Sequence, residues 1–206
     1  MNGNRITLHK GDLPAGLSFG PVVAIDTEAM GLKPQRDALC LAQLSSGDGS
    51  VHLVQLVRPG YAAPNLERLL TDPSVLKLFH FARFDMAMFR HHLRVTPGPV
   101  YCTKIASKLT RTYTDKHSLK EICREILGID LSKQQQSSDW GADDLSEAQL
   151  AYAASDVLHL HALKARLDAM LAREGRTALA EACFRFLATR VELDLAGWGE
   201  EDIFSH

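Results

Sequence analysis

The sequence has few cysteines, no long apolar run and little net charge, and each absence excludes a class of protein. Its four cysteines are scattered among 206 residues without a C-x-x-C pair, which disfavours a structural zinc site and favours reduced thiols. No apolar run approaches the ~18–20 residues of a membrane span. The polar N-terminal dozen residues show no signal-peptide pattern. We therefore expect a cytoplasmic protein with no membrane partner.

The composition is that of a soluble globular protein, with 46% hydrophobic and 23% charged residues. The net charge of −2 disfavours a globally basic nucleic-acid binder. However, residues 77–124 contain 10 Lys/Arg against 3 Asp/Glu, whereas residues 139–206 contain 6 against 13. This asymmetry allows a locally basic cleft, although on charge alone a solvated charged surface is the more ordinary explanation.

Turn signals and apolar periodicity predict a β-rich first half and a helical second half. The predicted strands are residues 22–25, 39–45, 51–57, 75–80 and 100–103, and a Ser-Gly-Asp-Gly-Ser turn joins the second and third as a hairpin. The predicted helices begin near residues 64, 82, 103, 119, 147 and 177, and the fifth extends to about residue 172. This order predicts an α/β fold in which helices flank a mixed β-sheet, formed by one domain over residues 1–206.

The most informative acidic pair is Asp26-Thr-Glu28, directly after the apolar strand at residues 22–25. Side chains at i and i+2 of a strand point to the same face, so both carboxylates would face one site. Two carboxylates this close repel unless a cation neutralises them, which suggests a hard divalent metal. Taken alone, such a pair is more often part of a surface turn.

Two further acidic positions have ordinary explanations when each is considered alone. Asp85 follows a strand and lies in the first turn of a helix, where an acid normally complements the helix dipole. Tyr152 and Asp156, four residues apart on a helix, share one face and would ordinarily form a structural hydrogen bond. The small residues between them would let another element approach closely.

Taken together, Asp26, Glu28, Asp85 and Asp156, with Tyr152 four residues before the last, resemble the Tyr subclass of the DEDD exonuclease superfamily. The stretches that begin at Ser118-Leu-Lys-Glu-Ile, Lys133-Gln-Gln-Gln and Leu150-Ala-Tyr-Ala-Ala-Ser-Asp resemble the catalytic domain of ribonuclease D. The resemblance covers about residues 22–171. About 35 residues follow, fewer than we expect for the accessory helical domains of ribonuclease D. The chain length and the closing Val191-Glu-Leu-Asp-Leu-Ala-Gly-Trp-Gly resemble the stand-alone nano-RNase C group.

The resemblance implies a ribonuclease H-like fold and two divalent cations, Mg²⁺ or Mn²⁺, held by the four carboxylates. It implies that Tyr152 orients the attacking water, with acceptance of its proton as an open second role. The expected activity is 3′–5′ exoribonuclease release of nucleoside 5′-monophosphates, favouring dinucleotides and very short RNA. A general 3′–5′ exonuclease that trims longer RNA or DNA is the alternative, and an inactive nucleic-acid-binding module is the third reading.

Substrate contacts are weaker predictions from the same resemblance. The candidates are Met30, Gly31, Leu32, His80 and Phe84. Leu32 could equally be a loop residue that covers the core, and His80 could be a core histidine. Phe81 and Phe84 could stack on a base, but packing on a helix face is the more ordinary role of both. A cation is expected at the 5′ phosphate, from among Lys104, Lys108, Arg111, Lys116 and His117. The resemblance also implies a homo-oligomer, an octamer in its best-described form, and the helix and tail at residues 172–206 are the predicted contact.

Overall fold

The computed structural model describes residues 5–132, 135 and 137–206, and these form a mixed sheet with helices on both sides. The six strands are β1 (Arg5–Lys10), β2 (Val22–Ala29), β3 (Leu39–Ser45), β4 (Ser50–Gln55), β5 (Leu76–Phe79) and β6 (Val100–Cys102). Their order across the sheet is β1-β4-β3-β2-β5-β6. Strand β3 runs antiparallel to β2 and β4, whereas the β1–β4, β2–β5 and β5–β6 pairs are parallel. This confirms the predicted α/β class.

The helices occupy the positions that the sequence predicts, with two differences. They are α1 (Pro64–Thr71), α2 (Ala82–His92), α3 (Thr103–Thr110), α4 (Leu119–Ile122), α5 (Glu147–Leu158), α6 (Leu160–Arg173) and α7 (Thr177–Leu193). Helix α4 continues as a π-helical turn over Cys123–Leu127, and α7 continues as another over Asp194–Trp198. The single helix predicted to run from residue 147 to about 172 was wrong, because the chain breaks at His159 into α5 and α6.

The centre of the sheet is buried on both faces, which explains the apolar run before the acidic pair. Val23, Ala24 and Ile25 are fully buried in β2, and all seven residues of β3 are buried. Strands covered on both faces read as continuous apolar runs rather than as alternating patterns. The acidic pair therefore follows directly on the most buried part of β2, in the last four residues of that strand, Asp26 to Ala29.

Strand β1 was missed by the sequence analysis, and the bounds of β4 were shifted. The residues of β1 are half-buried or exposed, because β1 is an edge strand that pairs only with β4. Helix α5 lies across β2, β3 and β4, while α6 packs against α3. Of the segment quoted for the ribonuclease D resemblance, Lys133, Gln134 and Gln136 lie outside the described residues. Within the described part of the chain, no helix has the length and apolarity needed to cross a membrane.

Candidate active site

Three carboxylates converge where β2 passes beneath α5. Asp26 and Glu28 lie on one face of β2, as their i, i+2 spacing predicts, and Asp156 approaches from α5. Each offers one oxygen, and the three oxygens lie within 4.8 Å of one another. Asp26 and Glu28 belong to a strand but Asp156 to a helix 128 residues later than Glu28, so only the tertiary fold brings them together.

Helix α5 reaches the sheet closely because its inner face is small. Ala153 and Ala154 are buried against the core. Ser146 begins the helix with a capping box: its Oγ accepts from the backbone N–H of Gln149, and the Gln149 side chain accepts from the Ser146 N–H. This start fixes the register that puts Tyr152 and Asp156 on the inner face, one turn apart.

The fourth acidic residue, Asp85, lies in the first turn of α2 and is 2% exposed. Its Oδ1 accepts a hydrogen bond of 2.7 Å from the hydroxyl of Thr27, whose side chain leaves β2 on the face opposite Asp26 and Glu28. Asp85 is therefore not one of the three clustered oxygens. Its charge nevertheless contributes to the raised pKa of Asp26, so it acts on the same cluster.

Burial and mutual repulsion make it unfavourable for all four acidic side chains of the site to be ionised together. Burial, followed by repulsion from the other carboxylates, raises the pKa of Asp26 well above its usual range and that of Glu28 to about 9. Burial also raises the pKa values of Asp85 and Asp156 to about 7. Burial and then the charge of Asp156 raise the pKa of Tyr152 above its ordinary value. Buried oxygen donors in mutual repulsion fit a hard divalent cation.

Gln43 is a residue of this site that sequence reasoning missed. It lies opposite Asp26 in the β2–β3 register and is fully buried. Its Nε2 donates to Asp26 Oδ2 at 3.2 Å and to Glu28 Oε1 at 3.5 Å, while its Oε1 has no hydrogen-bond partner among the described residues. A buried amide in the otherwise apolar strand β3 is the signal that points to it.

A cavity of about 280 Å³ lies over the carboxylates. His80 and Phe81 line it beside Lys104, whereas Phe84 packs against the core. His80 Nδ1 lies 2.9 Å from Thr103 Oγ1, and burial, followed by the charge of Lys104, lowers the pKa of His80 to about 3. His80 is therefore a neutral imidazole at this wall, and of the two phenylalanines Phe81 lines the cavity rather than the predicted Phe84.

The loop after β2 is held in place by Asp37, a buried residue near the end of the loop that leads to β3. The Asp37 carboxylate accepts from the backbone N–H of Lys33 at 2.9 Å. It lies 2.3 Å from where a Cβ on Gly31 would be, so only glycine fits there. Leu32 is 81% exposed and Met30 is 49% exposed. Neither is among the residues that line the acidic cavity, so the loop presents these predicted contacts at the surface.

Of the five basic candidates for the 5′ phosphate, Lys104 alone is among the residues that line the acidic cavity. Arg111 is fully buried and forms what we call the Arg111 network. Its guanidinium donates to Ser107 Oγ, to the Lys116 carbonyl and to the Glu125 carboxylate. His117 Nδ1 lies 2.9 Å from the same Ser107 hydroxyl. Arg111 and His117 are thus committed to internal contacts.

Known proteins resemble this chain in sequence over most of its length. The profile of a family described as 3'-5' exonuclease matches residues 12–172. Ribonuclease D of Gluconacetobacter diazotrophicus is 37% identical over 156 residues, which are 76% of this chain and 39% of that protein. Ribonuclease D of Granulibacter bethesdensis is 33% identical over 158 residues, 77% of this chain and 40% of that protein. The chain spans about two fifths of the length of these curated relatives.

Solved structures extend the likeness to the whole fold. Brucella melitensis NrnC with bound Mg²⁺ is 57% identical with a TM-score of 0.94, covering 98% of this chain and 99% of that one. The same protein bound to pGG is 58% identical, with a TM-score of 0.95 and 98% of both chains covered. Escherichia coli RNase D is 26% identical with a TM-score of 0.73, over 83% of this chain and 45% of that one. The chain therefore belongs to the 3′–5′ exonuclease family, as a ribonuclease D-like member similar to NrnC.

Proposed function

We propose that this chain is a metal-dependent 3′–5′ exoribonuclease that releases nucleoside 5′-monophosphates and favours dinucleotides and very short RNA. The observation that carries the proposal is the convergence of Asp26, Glu28 and Asp156 within 4.8 Å under a cavity. Carboxylates collected at such a cost to stability are typical of a site that binds cations for catalysis. The NrnC structures with Mg²⁺ and with pGG support the metal and the short substrate.

We propose that the site holds two divalent cations, Mg²⁺ or Mn²⁺. Asp26, Glu28 and Asp156 supply the clustered oxygens, and Asp85 is the fourth proposed ligand. Carboxylates are the oxygen donors that these hard cations prefer. When bound, divalent cations supply charge neutralisation and Lewis acidity for hydrolysis of the phosphodiester. Gln43 already holds one oxygen of Asp26 and one of Glu28, which leaves the other oxygen of each for a cation.

Tyr152 is proposed to orient the attacking water through its hydroxyl. Burial and the neighbouring carboxylates raise the pKa of this phenol, so it carries its proton at neutral pH. A protonated phenol donates a hydrogen bond and so positions a water against the scissile phosphate. It becomes a base for that water only after a cation has offset the negative charge around it.

The small cavity supports the proposed preference for short substrates. At about 280 Å³, it lies below the roughly 300–1,000 Å³ that enclose drug-sized ligands, so it holds little more than one nucleotide. We propose that Met30, Gly31, Leu32 and His80 contact the substrate. Lys104, at the cavity wall, is the proposed cation for a 5′ phosphate.

The remaining chain is proposed to contribute to assembly. We propose one exonuclease domain over residues 1–206, with its catalytic core at about 22–171. Trp198, Ile203 and Phe204 are exposed apolar residues of the tail. Together with α7 they form the proposed contact of a homo-oligomer, an octamer by family resemblance.

The test is a length-resolved digestion. The purified protein is incubated with Mg²⁺ or Mn²⁺ and 5′-labelled RNAs of two to about twenty nucleotides, alongside DNA of the same lengths, and the products are followed with time. We expect dinucleotides to be cleaved fastest and EDTA to stop cleavage. Asp156→Asn should be inactive, whereas Asp144→Asn, which changes an almost fully exposed carboxylate, should behave as the wild type.

Equal attack on all lengths would replace the dinucleotide preference with a general 3′-end trimming activity. Faster cleavage of DNA than of RNA would mean that the protein is a deoxyribonuclease rather than a ribonuclease. No cleavage of any substrate by the well-folded protein would leave a nucleic-acid-binding module.

A further inference from the structure

A short irregular segment precedes α5, and hydrogen bonds fix it on both sides of Trp140. We call residues 139–141, with the sequence Asp-Trp-Gly, the Trp140 turn. Before the tryptophan, the Asp139 carbonyl accepts from Nε2 of Gln149 at 3.1 Å. After it, the Gly141 carbonyl accepts from Nη2 of Arg58 at 2.8 Å. The backbone that carries Trp140 is therefore held to α5 on one side and to the segment after β4 on the other.

The ring of Trp140 packs against Tyr152, the residue proposed to orient the attacking water. The two ring centroids are 6.1 Å apart and the ring planes are tilted by 38°, a favourable arrangement for an aromatic pair. Trp140 is 2% exposed and is not among the residues that line the acidic cavity, whereas Tyr152 lines it. The indole thus supports the phenol from the side of the core, away from the cavity.

The indole N–H of Trp140 is left unpaired. A buried indole N–H ordinarily has an acceptor, because an unpaired polar group in the core lowers the free energy of unfolding. Nε1 of Trp140 is buried and has no hydrogen-bond partner among the described residues. An apolar side chain would avoid this cost, so stability alone does not account for a tryptophan at this position. What the tryptophan supplies is a broad, flat ring face against Tyr152.

The position of Tyr152 depends on more than its hydrogen bond. Its hydroxyl donates to Asp156, a proposed cation ligand, and its ring is half-buried at the cavity wall. Groups that take part in a reaction must be held within about 0.5 Å of their productive position, and an error of about 1 Å can cost roughly a hundredfold in rate. A hydrogen bond fixes only the tip of a tyrosine, whereas a packed ring face also fixes the orientation of the ring.

We propose that Trp140 is a positioning residue for Tyr152, and that its ring holds the phenol hydroxyl in place for catalysis. The inference rests on the proposed function, since Trp140 acts in it only through the placement of Tyr152. Trp140 neither lines the cavity nor donates to a carboxylate among the described residues. Its loss should therefore lower kcat and leave KM and cation affinity nearly unchanged.

The first experiment measures kcat and KM on a dinucleotide in saturating Mg²⁺. Trp140→Leu removes the ring and should lower kcat roughly a hundredfold with little change in KM. Trp140→Phe keeps an aromatic face and should stay within about fivefold of the wild type. Phe19→Leu is the matched control, because Phe19 is 5% exposed and packs on the His52 ring at 5.5 Å, outside the lining of the acidic cavity. It should melt at a lower temperature but keep its kcat.

A milder variant moves the Trp140 turn without changing the tryptophan. Gln149→Glu keeps an acceptor for the Ser146 N–H, so the capping box is retained, but it cannot donate to the Asp139 carbonyl. We expect kcat to fall roughly fivefold, about the effect of one net hydrogen bond. This variant tests the proposal even if Trp140→Leu folds poorly, and an unchanged kcat in both would overturn it.

The decisive measurement is a double-mutant cycle with Tyr152→Phe, which removes the hydroxyl that Trp140 is proposed to position. Single-turnover rates with enzyme in excess keep the slow variants measurable. In the Tyr152→Phe background, Trp140→Leu should cost less than about a further twofold, because the two residues act as a unit. Losses that multiply would overturn the proposal, as would a loss in KM alone or an equal loss of kcat in Phe19→Leu.

A readout without catalysis follows the Tyr152 ring itself. The protein is labelled with 3-fluorotyrosine at its four tyrosines, and Tyr152→Phe identifies the ¹⁹F resonance of Tyr152 in EDTA. We expect Trp140→Leu to shift and broaden that resonance, Gln149→Glu to shift it less, and Phe19→Leu to leave it in place. The affinity for Mn²⁺ should be the same in Trp140→Leu and the wild type. An unshifted resonance in Trp140→Leu would overturn the proposal.

This inference and the proposed function fail differently. Hydrolysis of dinucleotides with a kcat that is indifferent to Trp140→Leu would support the function and reject the positioning role. A Tyr152 resonance that depends on Trp140, in a protein that hydrolyses no RNA, would reject the nuclease function but leave Trp140 as the support of the Tyr152 ring.

Discussion

The acidic cavity and the Arg111 network are two regions of buried charge, and they differ in how that charge is compensated. Arg111 has an acceptor for its guanidinium on three sides, including the Glu125 carboxylate. The carboxylates of the cavity accept hydrogen bonds from the Gln43 amide and from the Thr27 and Tyr152 hydroxyls, but no cation of the described residues pairs with them, and burial and mutual repulsion raise their pKa values. The paired charge of Arg111 stabilises the fold. The mutual repulsion of the carboxylates lowers the stability of the metal-free protein, as is typical of a site that binds cations.

The largest expected effect is at the acidic cavity, where a single substitution should lower the activity but raise the stability of the metal-free protein. Asp26→Asn should lower kcat/KM on dinucleotides by at least roughly a thousandfold, since loss of even one preorganised donor costs about 10²–10³ in other enzymes. The same change removes one of the repelling charges, so the melting temperature in EDTA should rise by a few degrees. Turnover assays and thermal melts check both. Retained activity would remove Asp26 from the proposed ligands.

The opposite behaviour is expected at the Arg111 network. Arg111→Met removes the buried guanidinium that donates to the Ser107 hydroxyl, the Lys116 carbonyl and the Glu125 carboxylate, at a cost of about 3 kcal/mol of unfolding free energy. Chemical denaturation in EDTA and in Mg²⁺ should give the same loss, because no cation ligand is changed. Arg124→Met, at an exposed arginine nearby, should lose almost nothing. A loss confined to Mg²⁺ would mean that the network serves the site.

Gln43 should show an intermediate effect, because it contacts the carboxylates without being a ligand. Gln43→Leu is expected to lower metal affinity or activity by roughly 10–100-fold, as changes to residues that orient metal ligands generally do. The activation curve with Mg²⁺ measures it. Gln55→Leu is the matched control, since Gln55 lies on the same face of the sheet but donates to the Ala142 carbonyl at 2.9 Å. Equal effects of the two changes would make Gln43 merely structural.

The smallest effect is a pH dependence of stability in the metal-free protein. Since the folded pKa values of Asp26 and Glu28 are raised, the native state binds more protons than the unfolded chain between about pH 4 and their folded values. Unfolding free energy is therefore lost as the pH rises through that interval. In EDTA, the melting-temperature advantage of Asp26→Asn should grow from about pH 4 to about pH 8. With Mg²⁺, Asp26→Asn should melt below the wild type. A difference in melting temperature that does not change with pH in EDTA would mean that the carboxylates do not repel one another.

The sequence predicts those parts of the fold that local signals specify. The turn between β3 and β4 forms as predicted, because Gly47 and Gly49 adopt positive φ and Asp48 accepts from the Ser50 N–H. Ser118 begins α4 with a capping box, which a serine followed three residues later by Glu121 favours. The i, i+2 and i, i+4 spacings likewise place Asp26 with Glu28, and Tyr152 with Asp156.

The parts that escaped prediction depend on contacts between distant segments. No glycine or proline marks the break at His159, and apolar positions recur through both helices, so the pattern predicts one. The hydrogen bonds from Gln43 to Asp26 exist only once β2 and β3 have paired. Phe81 and Phe84 carry identical side chains, and only the docking of α2 decides that Phe81 faces the cavity while Phe84 packs inward.

The two buried alanines of α5 have a consequence for how the site can vary. Ala153 and Ala154 place one methyl group each between the helix and the sheet, so they set the separation from which Asp156 approaches Asp26 and Glu28. A larger residue at either position would lift the helix and spread the three oxygens apart, although it would touch none of them. The spacing of the carboxylates thus depends on the small size of these two alanine side chains. These positions tolerate less change than many that face the substrate.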